Sequence, residues 1–350
     1  MAKILYGVHG TNHGHAIRAL TIARRFSHHE FLFVSQDAGA AILKWEFPMV
    51  ALPGLETVFR RHRVAIAATI GANLRPLIQA RNIRRQILDL MDRFRPDLAI
   101  TDFEAFIPWV CRSVGLPCLS LDHQHVITCC SHPVPVRRLP QYFLARLLIQ
   151  ALYNRADEFG IISFYRPPLR GHLPARLLPP LLRDTVLARR PREGDHVLAY
   201  QRSRSLPEFL DFLRRIPRPV VVYGAHEDRR EGNLTFKPHS EEGFLDDLAS
   251  CSYVIAGGGH TLMSEALFYG KPILAFPFRG DFEQYLNAFY LARLGYGAYA
   301  EDFRAGAGLL KSFESGLEHY RRAVGQGSFC GNEAVFTLVE EFIGGGGQSA

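Results

Sequence analysis

Short apolar runs rich in Val, Ile, Leu and Phe recur along this chain, separated by stretches in which apolar residues return every three or four positions. Alternation of that kind predicts parallel βαβ units. In the first half the runs predict strands at 4–8, 31–35, 49–52, 98–101, 118–121 and 160–163. In the second half they predict strands at 197–200, 220–223, 234–237, 253–256, 272–276 and 298–300. The expectation is an α/β protein of two similar, doubly wound, Rossmann-like parallel sheets. Residues 166–194 are dense in Pro and Arg, carry no sustained period and read as an interdomain connection. The predicted division is a first domain at 1–180, a linker at 181–195, a second domain at 196–343 and a flexible tail at 344–350.

A length of 350 residues suits two domains, each able to bury its own core. No apolar run reaches the ~20 residues that span a bilayer, and the start enters a strand without a basic leader, so a cytoplasmic protein is expected. Six cysteines with no C-x-x-C pair support neither a zinc site nor a disulfide framework. The net charge of +7 is unevenly spread: residues 1–190 hold 25 Lys/Arg against 13 Asp/Glu, and 191–350 hold 16 against 21. A basic first half reads either as a solvated face or as a surface for an anionic partner. Residues 74–95 put Ile83, Ile87, Met91 and Phe94 on one helical face, with Arg81, Arg84, Arg85 and Arg93 elsewhere, and 137–148 form a second basic-apolar stretch. Such stripes are core or, at an anionic membrane surface, a peripheral docking face. No stacking-aromatic pattern accompanies the charge, so nucleic acid is not an expected partner.

The most informative segment is an apolar strand ending in Gly257, Gly258 and Gly259, followed by a helix with Thr261 expected at its cap and Glu265 one turn in. Glycines admit a ligand close to the backbone, and the open N–H groups of a helix start attract an anion such as a diphosphate. A second short strand and a polar loop follow, and the loop's position beyond a carboxyl strand end lets Glu283, Gln284 and Asn287 reach hydroxyl groups. The pattern Gly-Gly-x-x-Thr-x-x-Glu-Ala, a Gly-x-Pro strand, then Gln-x-x-Asn-Ala resembles the C-terminal domain of GT-B glycosyltransferases, family 28 in particular. That resemblance implies that Gly258, Gly259, His260 and Thr261 cradle the donor diphosphate. It implies also that Glu265 accepts from ribose hydroxyls, that Glu283 and Gln284 hold the donor sugar, and that the backbone near Leu245 meets the nucleobase. Where the family carries a glycine-rich phosphate loop, this chain has Arg202 among serines, which reads as a phosphate contact or a solvated loop.

In the first half, a strand leads through a glycine-bearing turn to His13, Gly14 and His15 and then a helical pattern. This is similar to the Gly-x-Gly-His loop of the same enzymes, with His15 matching the final histidine. An inverting transfer needs a base for the acceptor hydroxyl, and histidine titrates near neutrality. His15 is the first candidate and His13 the second. Asp102 and Glu104 follow another strand and would orient the histidine or bind acceptor hydroxyls, with His123 and His125 on the same edge. The paired histidines could hold a metal, yet the resemblance implies a metal-independent reaction, with the nucleotide-sugar a substrate and no cofactor. The expected function is an inverting hexosyl transfer from a nucleotide-diphosphate sugar, a UDP-sugar by resemblance, to an acceptor hydroxyl on a lipid or small glycoconjugate. A nucleotide-sugar epimerase of the same plan, or a non-catalytic nucleotide-sugar-binding protein, are the alternatives.

Overall fold

The computed structural model describes the chain apart from Asn12, 202–206, His226, His239 and 347–350. Its strands are β1 (Lys3–Val8), β2 (Glu30–Ser35), β3 (Met49–Ala51), β4 (Phe59–Arg60), β5 (Arg63–Val64), β6 (Leu98–Asp102), β7 (Cys118–Asp122), β8 (Glu158–Ile162) and β9 (Ala175–Leu178). The chain continues with β10 (Val197–Tyr200), β11 (Val220–Tyr223), β12 (Arg229–Glu231), β13 (Leu234–Phe236), β14 (Tyr253–Ala256), β15 (Ile273–Ala275) and β16 (Gly297–Tyr299). One sheet has the order β3-β2-β1-β6-β7-β8-β9 and a second the order β12-β13-β11-β10-β14-β15-β16. Every neighbouring pair is parallel except β12 with β13.

The central strands explain themselves. β6 reads Leu-Ala-Ile-Thr-Asp and β7 reads Cys-Leu-Ser-Leu-Asp, and both are buried at every position. A parallel strand covered on both faces needs a nearly continuous apolar run, and its polar residues collect at the carboxyl end, where the loops begin. Asp102 and Asp122 are those terminal residues. Helix His13–Arg25 turns Ala16, Ala19, Leu20 and Ala23 into the core shared with Ile4, Tyr6, Val8 and Phe33. The second sheet has its own core around Val197, Val222, Ile255, Leu274 and Phe313.

The chain divides into two compact units, Met1–Val58 with Ala65–Arg183 and Gly331–Ala350, and Phe59–Val64 with Asp184–Cys330. Two parts of the sequence-based division are thereby corrected. Helix Asn332–Gly346 belongs to the first unit, where Val335, Leu338 and Val339 enter its core, and where 344–346 are helical and not a loose tail. The Asn332 side chain anchors it, accepting from Leu182 N–H at 2.9 Å and donating to the Leu182 carbonyl at 2.7 Å. The predicted connection also contains β9, whose short Ala-Arg-Leu-Leu run is hidden between prolines and arginines.

The β4–β5 hairpin, absent from the predicted elements, lies within the second unit. Val64 N–H donates to the Arg279 carbonyl at 2.9 Å, and Arg279 N–H donates to the His62 carbonyl at 3.0 Å. The His62 ring packs on Phe278 and Phe303, and its Nδ1 accepts from Gln201 Nε2 at 2.8 Å. Burial first, and the nearby Arg279 charge second, push this imidazole down to about 4. The folded chain therefore keeps His62 neutral at a pH where the unfolded chain protonates it. Its stabilising effect is complete above pH 6.5 and is lost as pH falls through that value toward 4, by up to about 3 kcal/mol. Thermal unfolding of the wild type across this window should show that loss, and His62→Gln should flatten the slope.

Candidate active site

In the first unit, three side chains meet at the carboxyl ends of β1 and β6. His15 Nδ1 lies 2.7 Å from Asp102 Oδ1. Arg18 grips the same carboxylate with both arms, Nε to Oδ2 at 2.7 Å and Nη2 to Oδ1 at 2.6 Å. All three are buried, Asp102 completely. Burial opposes the Arg18 charge, but Asp102 outweighs it and holds the guanidinium above its ordinary value. An ionised carboxylate only accepts, so Nδ1 is the protonated nitrogen of His15 and Nε2 carries the lone pair. Arg18 Nη2 also sits 3.1 Å from Nδ1, and the shorter contact to the carboxylate settles which way that proton points. His13, by contrast, is exposed at the first residue of the helix, and Gly14 is half-buried beside it.

Asp102 is followed by Phe103 at φ 53, a left-handed conformation that costs a non-glycine residue roughly 1–3 kcal/mol. The turn sends the Phe103 ring among His9 (5.8 Å between centroids), His15 (6.4 Å) and Tyr153, on which it stacks at 4.0 Å. Beside these rings opens a narrow cleft lined by apolar groups such as Val34, Leu55, Ile83, Ile87 and Phe106 together with His9, Gln36 and Glu104.

The other residues expected on the acceptor side have local duties. Glu104 accepts from the N–H groups of Phe106 at 3.0 Å and Ile107 at 2.7 Å, capping helix Phe106–Val114. Burial raises its pKa, and those N–H groups act against the rise. His123 is held through Nδ1 by the Ile162 carbonyl at 2.7 Å, with Tyr165 near Nε2. His125 forms a second buried pair, Nδ1 to Asp122 Oδ2 at 2.7 Å, and Ser120 donates to the same oxygen. Burial opposes the Asp122 charge, but His125 and these hydrogen bonds prevail and hold the carboxyl well below the usual range. The Nε2 of His125 is buried with no partner among the described residues. Among the described residues no three His, Cys, Asp or Glu side chains assemble as a metal site.

In the second unit, β14 runs into the three glycines and helix His260–Phe268. Gly259 is the cap, with no side-chain hydrogen bond, and Thr261 lies inside the first turn, which corrects the expected cap. The cap residue, a glycine, has no side chain to offer the first N–H groups, an arrangement that an anion completes. The glycines differ in purpose. A Cβ on Gly258 would stand 2.4 Å from the Gln284 carbonyl oxygen, while one on Gly259 meets nothing within 4 Å. Gly258 is therefore required by packing against helix Phe282–Arg293, and Gly259 faces open space.

Gln284 Oε1 accepts from Gly258 N–H at 3.0 Å and from Phe278 N–H at 3.1 Å. Two N–H donors fix the amide's orientation and turn its NH₂ group away from them. Asn287 is fully buried and donates to the Gly258 carbonyl at 2.8 Å, so it braces the turn instead of reaching a hydroxyl. Glu283 is half-buried at the start of its helix. His260 and Glu265 are buried, Thr261 half-buried. Leu245 is fully buried in helix Glu241–Ser250, next to Phe244, which packs against Tyr200 and Tyr223. Arg202 lies outside the described residues. Gly258→Ala should force Gln284 and its helix to shift, lowering stability by about 1–3 kcal/mol, whereas Gly259→Ala should leave the melting temperature unchanged. Thermal unfolding of the two variants checks the contrast.

Sequence reasoning missed Arg18, His9 and the Phe103–Tyr153 stack. Arg18 carried a usable signal, since it stands three residues after His15 on one helical face. His9 and Tyr153 carried none, because the strand end and the distant helix end that bring them together are joined only in three dimensions.

Comparison with known proteins agrees with this architecture. The family description "Glycosyl transferase family 1" matches residues 2–316. An uncharacterized glycosyltransferase of Methanosarcina mazei is 50% identical over 50 residues, a match spanning 14% of this chain and only 13% of that protein. Phytolacca americana UGT2, solved with UDP-2fluoro-glucose and pterostilbene, superposes with a TM-score of 0.66 at 15% identity, covering 98% of both chains. MurG of Acinetobacter baumannii gives a TM-score of 0.60 at 13% identity over 97% of this chain and all of that one. These likenesses establish the GT-B fold, and the chain belongs to glycosyl transferase family 1.

Proposed function

We propose that the protein transfers a sugar, with inversion at the anomeric carbon, from a nucleoside-diphosphate sugar to an acceptor hydroxyl, and that His15 is the base. The observation that carries this reading is the buried His15–Asp102 contact of 2.7 Å, which leaves Nε2 as the basic nitrogen. The acceptor oxygen bonds to the anomeric carbon as its proton passes to Nε2, and the bond from that carbon to the diphosphate breaks with its electron pair staying on the diphosphate. Asp102 stabilises the imidazolium so formed. The N–H groups at the start of helix His260–Phe268, beside Gly259, receive the diphosphate charge. Glu283 and the Gln284 NH₂ group contact the donor sugar, Glu265 the ribose, and Asn287 holds the turn that places them. His13, at the exposed helix start, is the weaker candidate for base. No cofactor or metal has a part in this scheme.

The largely apolar cleft beside His9 and Phe103 supports an acceptor whose hydroxyl is carried on an apolar or aromatic body. Uracil is the base we assign to the donor. The UGT2 structure is complexed with UDP-2fluoro-glucose and pterostilbene, and its UDP group supports the donor assignment. The buried thiols of Cys111, Cys118, Cys129, Cys130 and Cys251 suit a reducing cytoplasm, and an anionic membrane surface is the further partner we assign to the basic first unit. The decisive experiment is incubation with UDP-, dTDP- and GDP-sugars with and without an apolar alcohol. Transfer predicts nucleotide release that depends on acceptor and a product anomer opposite to the donor's, read by NMR. Interconversion of the sugar from donor alone would install the epimerase reading in its place.

A further inference from the structure

Two helices of the first unit carry apolar residues that its fold does not use. Helix Ile66–Ile78 reads Ile-Ala-Ala-Thr-Ile-Gly-Ala-Asn-Leu-Arg-Pro-Leu-Ile and buries only Pro76. Ile66, Ile70, Leu74, Leu77 and Ile78 recur at helical spacing along one stripe and are 47 to 79% exposed. Helix Leu139–Leu152 buries only Tyr142 and Ile149, while Phe143, Leu144, Leu147 and Leu148 are 48 to 62% exposed. The stripe singled out in the sequence behaves in the opposite way: Ile83, Ile87 and Met91 of helix Ala80–Phe94 are core, so that part of the membrane expectation is withdrawn. An amphipathic helix inside a globular protein turns its apolar side inward, so a helix that turns it outward marks a surface with another apolar phase to meet.

The charges beside these stripes say which phase. Between residues 57 and 88 there is no Asp or Glu, and between 123 and 156 there is none either. The same stretches hold Arg75, Arg81, Arg84 and Arg85, and Arg137, Arg138, Arg146 and Arg155. Arg75, Arg81 and Arg85 are exposed and make no ion pair among the described residues. Glu56, whose backbone bonds to Asn73, is an acidic neighbour of the first helix, but the charged side chains within both stretches are all positive, and an apolar stripe set among them complements acyl chains under anionic headgroups. A self-complementary contact with a second copy would instead bring these arginines toward one another. Among the described residues no helix is long and apolar enough to cross a membrane, so the stripes lie on the surface instead of spanning it.

The geometry points to the exposed faces of helices Ile66–Ile78 and Leu139–Leu152 as the docking surface of this protein for an anionic lipid bilayer. This rests on the membrane reading given above, to which it adds the residues that enter the interface, and it is independent of the transfer chemistry. The test is sedimentation of the full chain, without donor or acceptor, with phosphatidylcholine vesicles containing roughly a third phosphatidylserine. The variants are Ile70→Asp with Leu74→Asp, and Leu144→Asp with Leu147→Asp. Their side chains are exposed, so the melting temperature should hold while each pair lowers vesicle partitioning at least about tenfold. Wild-type partitioning should also fall steeply between low salt and 0.5 M salt, a choice of ionic strength that leaves a Debye length of only about 4 Å.

Wild-type protein that sediments together with equally sedimenting variants would overturn the surface and leave the membrane reading standing. Wild-type protein that ignores anionic vesicles would remove both. A solution dimer that the Asp variants dissolve would give these faces to a second copy and overturn the proposal.

Discussion

His15→Ala is expected to lower turnover by about a thousandfold, within the range of roughly 10²–10⁴ by which a positioned general base accelerates proton transfer. Donor affinity should stay within about twofold, because the groups assigned to the diphosphate and sugar belong to the second unit, and a change in transition-state stabilisation alone appears in kcat. The measurement is steady-state transfer to an apolar alcohol beside a calorimetric titration with UDP-sugar. His13→Ala is the control, and turnover lost with His13 but kept without His15 would transfer the base assignment. Because Nδ1 is occupied by Asp102, His15→Gln should not rescue the rate even though it can donate to the carboxylate.

Asp102→Ala is expected to cost about 3–5 kcal/mol of stability, since it leaves the Arg18 guanidinium buried without the carboxylate it grips, the more distant Asp122 being its remaining negative neighbour. In a unit of this size that corresponds to a fall in melting temperature on the order of 10 °C. Adding Arg18→Met should restore a large part of the loss without restoring turnover, because the stranded charge is gone while His15 still lacks the partner that fixes its tautomer. A double variant no more stable than Asp102→Ala would show that the carboxylate matters through something other than Arg18. Comparison of Asp102→Ala with His15→Ala then separates folding from chemistry: the first should damage both, the second only the rate.

The parallel α/β plan was legible because its signals are local. Strands such as β1, β6, β7 and β14 are mostly apolar runs, and the glycine turn before His260 stands at a strand end in the sequence itself. β9 was not legible, since four residues flanked by prolines show no period, and neither was the hairpin Phe59–Val64, whose two-residue strands are fixed by pairing with Arg279 far along the chain. For some of the polar residues singled out in the sequence, the structure shows a local task that residue type alone does not reveal. Glu104 and Asn287 have the right chemistry for ligand hydroxyls, and the structure spends that chemistry on a helix start and on the Gly258 carbonyl.

The sequence by itself determined the two-sheet α/β architecture and the position of its glycine turn and leading histidine, because propensity and periodicity act between neighbours in the chain. Only the tertiary structure decided that Arg18 and His15 share Asp102, 84 and 87 residues away, and that the final helix returns to the first unit. It alone distinguished a buried stripe at Ile83–Met91 positions 83, 87 and 91 from the exposed one at 66, 70 and 74. The physical reason is the same in each case: burial and partner choice are properties of what surrounds a side chain, and two stripes with one period look alike until the surroundings are assembled.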